Sequence, residues 1–120
     1  MNPDNPVIKL CIAGTQAEFN GKMDEACSLY YQAWETSSDD YEACIAAHYV
    51  ARCHVSPEDV FRWNQESLNR ARVVNNESIK AFYPSLYLNM GRSYELIGLP
   101  AEAETYYTLA AKLGVPHQMD

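Results

Sequence analysis

The stretch YLNMGRSYELIGLPAEAETYYTLA, residues 87–110, decides the fold because LCIAGTQAEFNGKMDEACSLYYQA, residues 10–33, repeats its spacing. In the first, Tyr87, Met90, Gly91, Tyr94 and Gly98 precede Ala103, Tyr107 and Ala110. In the second, Leu10, Ala13, Gly14, Ala17 and Gly21 precede Ala26, Tyr30 and Ala33 at identical offsets. Steps of three and four put each set on one helix face. Gly21 and Gly98 fall where the helices of each pair must turn. A small residue on the facing sides lets two antiparallel backbones approach, and an aromatic ring fills the gap. Between these blocks lies a degenerate copy, in which His48 stands for the glycine, Val60 and Ser67 for alanines and Asn64 for the aromatic.

Helix punctuation agrees with this division. Asn5-Pro6, Ser56-Pro57 and Leu99-Pro100 each put proline at a first helical position, and Ser56 with Asp59 resembles a capping box. Gly114 and Pro116 suit the end of the last helix. The pattern predicts helices over residues 6–20, 22–37, 40–54, 57–74, 77–97 and 100–113, and no segment shows the alternation of a half-buried strand. Asn75-Asn76 suits a turn, and the apolar, helical pattern of residues 77–83 extends the fifth helix. Pro84 should then kink that helix, since proline lacks an amide hydrogen and crowds the preceding turn.

With these positions in place, the chain resembles the tetratricopeptide repeat, a 34-residue helix-turn-helix unit. The resemblance covers most of the chain as units 7–40, 41–74 and 84–117, with residues 75–83 as a helical insertion. It implies one all-α domain over residues 1–120, built as a short right-handed α-solenoid of about six helices.

Composition bounds the function. The chain has 120 residues, 48% hydrophobic, which is enough for one domain with a real core. A net charge of −7 argues against broad nucleic-acid binding, which needs clustered Lys and Arg. No apolar run is long enough to span a bilayer, and residues 1–6 lack the character of a signal peptide. A cytoplasmic protein without membrane contact is expected. Cys11, Cys27, Cys44 and Cys53 form no Cys-x-x-Cys pair and read as small hydrophobes in a helical core. Cys44 and His48, one turn apart, are the best metal candidate, yet two ligands do not make a zinc site. A buried hydrogen bond is the expected role for His48. Phosphate-loop, nucleophile-elbow and zinc-protease motifs are missing. The expectation is therefore a non-catalytic protein with no cofactor and no metal.

Function must then be read from the surface. The resemblance implies that positions 2, 5, 9 and 12 of each unit line a concave groove. By count these are Ile8, Cys11, Thr15 and Glu18, then Glu42, Ile45, Tyr49 and Arg52, then Ser85, Leu88, Arg92 and Glu95. Members that hold the acidic C-terminus of chaperones use Lys and Asn in the groove. With Cys11, Thr15, Tyr49 and Ser85 among the corresponding positions, that clamp is not expected here. Tyr49 as an aromatic anchor with Arg52 and Arg92 suits a peptide or partner segment bearing a carboxylate, because Arg offers bidentate donors. Internal pairing with Glu42, Glu95 or another carboxylate is the competing reading for both arginines. The implied function is an adaptor or scaffold; a small-ligand or peptide sensor, or a non-catalytic subunit of an enzyme, is the alternative. The last helix carries Tyr106, Leu109 and Leu113 beside its packing residues. More apolar surface than one neighbour covers would suit a homodimer through that helix.

Overall fold

The computed structural model describes residues 3–74 and 76–113. Among these it is all helical, in the order α1 Pro6–Phe19, α2 Met23–Thr36, α3 Asp40–Val50, a 3-10 turn Ala51–Cys53, α4 Pro57–Val73, α5 Glu77–Lys80, α6 Tyr83–Leu96 and α7 Pro100–Lys112. The strongest packing is between α1 and α2, between α6 and α7, and between α3 and α4.

The first and last pairs share one geometry. An added Cβ on Gly14 would lie 2.4 Å from Cε1 of Tyr30, and one on Gly91 would lie 2.5 Å from Cε1 of Tyr107. Each ring therefore occupies the space that a side chain would need. The hydroxyl of Tyr30 donates to Glu18 at 2.9 Å, and that of Tyr107 donates to Glu95 at the equivalent position. Gly21 and Gly98 both adopt positive φ, 76° and 85°, a backbone region that glycine enters without steric cost. The turns close with matching bonds, Lys22 N–H to Ala17 O at 2.8 Å and Leu99 N–H to Tyr94 O at 2.9 Å. Burying two such rings contributes on the order of 2–3 kcal/mol each.

The middle of the molecule is built differently. Residues 43–47 of α3 are buried in succession, together with Val50, so this helix is enclosed nearly all round. Its run of small residues, Ala43, Ala46 and Ala47, allows α1, α2 and α4 to pack against it. Where a glycine would sit, His48 carries a full side chain. At the position of the tyrosine stands Asn64, whose side-chain amide donates to Ser93 Oγ at 2.8 Å. Ser67, in place of an alanine, donates to the Cys44 carbonyl at 2.7 Å. The buried polar groups of this pair are thus satisfied across helices.

Several expectations change. The fifth helix is not one long helix kinked at Pro84. It is divided into α5 and α6, with Ala81 and Phe82 in a turn. Pro84 then falls in the first turn of α6, where no internal amide bond is required. Ile79 is buried beside Leu68, Leu86 and Met90, so the insertion is anchored by its apolar side. The third helix ends at Val50 and tightens into the 3-10 turn. Asn5 caps α1 through 2.8 and 3.2 Å bonds from the amides of Val7 and Ile8. Ser56 makes no such bond, because its hydroxyl turns to Glu58 at 3.0 Å, so the expected capping box does not form. The expectations at Gly114 and Pro116 lie outside the described residues, as does the end of the third unit.

Cys27 and Cys53, expected to be separate hydrophobes, are joined as a disulfide with their Cα atoms 5.7 Å apart. The cause is positional: the 3-10 turn brings residue 53 beside α2. Cys11 and Cys44 are buried free thiols.

Candidate functional site

Arg52 and Arg92 meet at one concavity of about 190 Å³, lined also by His48, Asn64, Asn89 and Ser93. Four segments supply it. His48 comes from α3, Arg52 from the 3-10 turn, Asn64 from α4, and Asn89, Arg92 and Ser93 from α6. Val60, Ala51 and Leu96 supply apolar wall.

The floor is neutral. His48 Nδ1 and the Asn89 amide nitrogen lie 3.1 Å apart, with the amide donating to an uncharged ring. Burial and the positive charge of Arg52 pull the pKa of His48 down to about 4, so the ring carries no charge near neutral pH. It is packed edge-on against Tyr49 and Phe82, with ring centroids 5.2 and 5.3 Å away. Ser93 Oγ accepts from the Asn64 side-chain amide and donates to the Asn89 backbone carbonyl, each at 2.8 Å, which holds the Asn64 amide; the Asn89 amide is held by His48.

The charge comes from the two arginines. Arg52 forms an ion pair with Glu18 of α1 through Nε and Nη2, and its side chain is 54% exposed. Glu18 also accepts from Tyr30. The Arg52 hydrogen bond, reinforced by that from Tyr30, holds the Glu18 carboxyl below its usual range against the opposing effect of burial. The Nη1 side of the guanidinium takes no part in that bridge, so the fork retains donors. Exposed pairs of this kind are worth about 0–1 kcal/mol, and an incoming carboxylate can compete for one.

Apart from Arg92, which lines the concavity, the expected groove residues separate into four groups. Ile8, Cys11 and Ile45 are 1%, 3% and 0% exposed and belong to the core, so they offer no surface to a partner. Burial raises the Cys11 thiol to about 12. Glu42 serves α3: it accepts from Asn5 at 2.7 Å and from the Ser38 amide at 2.8 Å, and Glu95 is engaged by Tyr107. Thr15, Glu18, Tyr49 and Arg52 adjoin one another, with Tyr49 stacked on Tyr30 at 5.2 Å and Thr15 bonded to the Cys11 carbonyl at 2.9 Å. Tyr49 thus flanks Arg52 without lining the concavity. Ser85 is exposed and Leu88 half-buried, both outside the lining.

Asn64, Asn89 and Ser93 were not expected at the site. Asn64 had a signal, a polar residue at a position where the outer blocks carry tyrosine. Cys44 and His48 are engaged separately, with Ser67 and Asn89. Among the described residues, no three His, Cys, Asp or Glu side chains gather as metal ligands would. No helix among them is long and apolar enough to cross a membrane.

On the last helix, α6 covers Ala103, Tyr107 and Ala110. Tyr106 stacks on Tyr94 at 5.5 Å. Leu109 is half-buried beside Glu104, Thr105, Thr108 and Lys112, and Leu113 is 52% exposed. The outward face thus mixes Leu109 and Leu113 with Glu104, Thr105, Thr108 and Lys112. Comparison with family models, with curated proteins and with solved structures finds no match for this chain.

Proposed function

We propose that the chain is a non-catalytic, cytoplasmic interaction module of tetratricopeptide type, stacked as a short solenoid, that holds a carboxylate-bearing segment of a protein partner between Arg52 and Arg92. The observation that carries this reading is that two arginines from separate segments line one concavity with a neutral, hydrogen-bonded floor. Arg presents paired N–H donors that match a carboxylate, and an apolar wall beside them accommodates the rest of a peptide. Thr15 and Tyr49, next to the Glu18–Arg52 bridge, extend the surface along α1 and α3. Glu18 acts as an internal stand-in for the ligand: the partner's carboxylate displaces it or binds the other edge of Arg52.

The repeated Gly–Tyr geometry of the outer pairs supports the repeat reading. The test is affinity capture of the tagged protein from its native lysate, beside the Tyr49→Ala, Arg52→Ala, Arg92→Ala triple variant. A partner retained by the wild type and lost with the variant is expected. Equal retention of all partners would overturn the groove.

A further inference from the structure

The four cysteines fall into two chemical classes. Cys11 and Cys44 are buried, with thiols raised by loss of solvation, and Cys44 sits against Ser67. Such thiols are poor nucleophiles. Cys27 and Cys53 are half-buried and bonded to each other.

The bond joins two elements of unequal rigidity. Cys27 belongs to the fourteen-residue α2, whereas Cys53 ends a three-residue 3-10 turn whose closing bond, His54 N–H to Ala51 O, is 3.4 Å long. Arg52 immediately precedes Cys53 and bridges to Glu18 of α1. The turn is therefore tied covalently to α2 on one side and ionically to α1 on the other. A second tie runs beside the disulfide. Tyr31, one helical turn after Cys27, lies 2.7 Å through its hydroxyl from His54 Nε2, and His54 stacks on Trp63. Beneath both, Ala26, Tyr30 and Val50 are fully buried. These contacts do not depend on the sulfur bond. They keep the two cysteines opposed when it is open, so that closure remains intramolecular and fast.

We infer that Cys27 and Cys53 form a reversible redox site, opened by dithiol reductants, that sets how firmly the 3-10 turn presents Arg52. In the opening step a thiolate of the dithiol attacks one sulfur of the disulfide. The other cysteine leaves as a thiolate and takes up a proton, and a mixed disulfide forms. The second thiol of the reductant then displaces the protein sulfur and closes its own disulfide. Two electrons and two protons pass to the protein, and the dithiol is oxidised. Closure is the reverse, with a disulfide as oxidant. The inference shares Arg52 with the proposed groove, but its test needs no partner, so the two can fail separately.

The probe is dithiothreitol with the whole chain, read in two ways. Iodoacetamide labelling with mass spectrometry should leave Cys27 and Cys53 unmodified before reduction and modify both afterwards, with Cys11 and Cys44 protected throughout. Proton exchange at the Arg52 Nε–H, followed by NMR, should become about tenfold faster on reduction and return when oxidised dithiothreitol replaces the reduced form. The Cys27→Ser, Cys53→Ser variant should show the fast value without reductant. Labelling of both cysteines in the untreated protein, failure to reoxidise, or an Arg52 signal identical in the two states would overturn the inference. Wild type with and without reductant decides the matter if the variant does not fold.

Discussion

The outer helix pairs and the middle pair solve one packing problem in opposite ways. In α1–α2 and α6–α7 a missing side chain, at Gly14 or Gly91, is filled by a tyrosine ring whose hydroxyl reaches a glutamate one turn beyond. In α3–α4 the missing side chain is restored as His48, the ring is reduced to Asn64, and the gap is bridged by hydrogen bonds that continue to Ser93 and Asn89. An apolar lock at both ends thus flanks a polar centre, and Arg52 and Arg92 line the concavity at that centre. The two ends fill the space between helices with a ring, and the centre fills it with hydrogen-bonded polar groups.

The largest expected effect breaks the outer locks. Tyr30→Ala and Tyr107→Ala should each cost about 3–5 kcal/mol, whereas Asn64→Ala should cost about 1–2 kcal/mol. Urea unfolding of the three variants checks this, and equal losses at all three sites would erase the distinction between lock and centre.

Removing the covalent tie comes next. Cys27→Ser with Cys53→Ser reopens a link between residues 26 positions apart. It should lower stability by about 3 kcal/mol, as seen by thermal or denaturant melting against the oxidised wild type. The same reductant added to the variant should then have no effect.

A pH series separates the centre from the ends. The folded chain refuses a proton at His48 until about pH 4, while the unfolded chain takes it up near 6.5. Stability contributed by the neutral ring is therefore present above 6.5 and is lost as pH falls from about 6.5 to about 4, on the order of 3 kcal/mol in all. His48→Gln should flatten that window. Below it, protonation of Glu18 and Glu42, whose carboxyls are held below their usual range, should weaken both proteins alike.

The smallest effect concerns helix starts. Asn5→Ala removes a cap that two amides use and should cost about 1 kcal/mol. Ser56→Ala removes no cap bond and should cost less than about 0.5 kcal/mol. Comparable melting shifts for the two would contradict the capping geometry.

Much of this architecture was legible because a period of small and aromatic residues leaves few ways to pack. The Gly14–Tyr30 and Gly91–Tyr107 contacts and the turns at Gly21 and Gly98 follow from local spacing and side-chain size, whereas for His48 only a hydrogen bond was expected and its partner, Asn89, is 41 residues away. The split between α5 and α6 was less accessible, since Pro84 is equally compatible with a kinked helix and with a new first turn. Burial of Ile79 and the position of Phe82 beside His48 settle it, and both are long-range facts. The disulfide was hidden for the same reason: residue 53 reaches α2 only because the helix tightens after Val50. At the site, Arg52 and Arg92 could be named by counting. Ile8, Cys11 and Ile45 could not be told from groove residues, because an apolar side chain at a repeat position carries no sign of which side its neighbours cover.

The most direct measurement is selection of displayed random peptides on the oxidised wild-type protein, followed by binding of the selected peptides to Arg92→Ala. The proposed function requires selected peptides that share a carboxylate and lose at least about tenfold in affinity with Arg92→Ala, equivalent to about 1.4 kcal/mol. Peptides without acidic residues, or acidic peptides that bind the variant as tightly as the wild type, would contradict it.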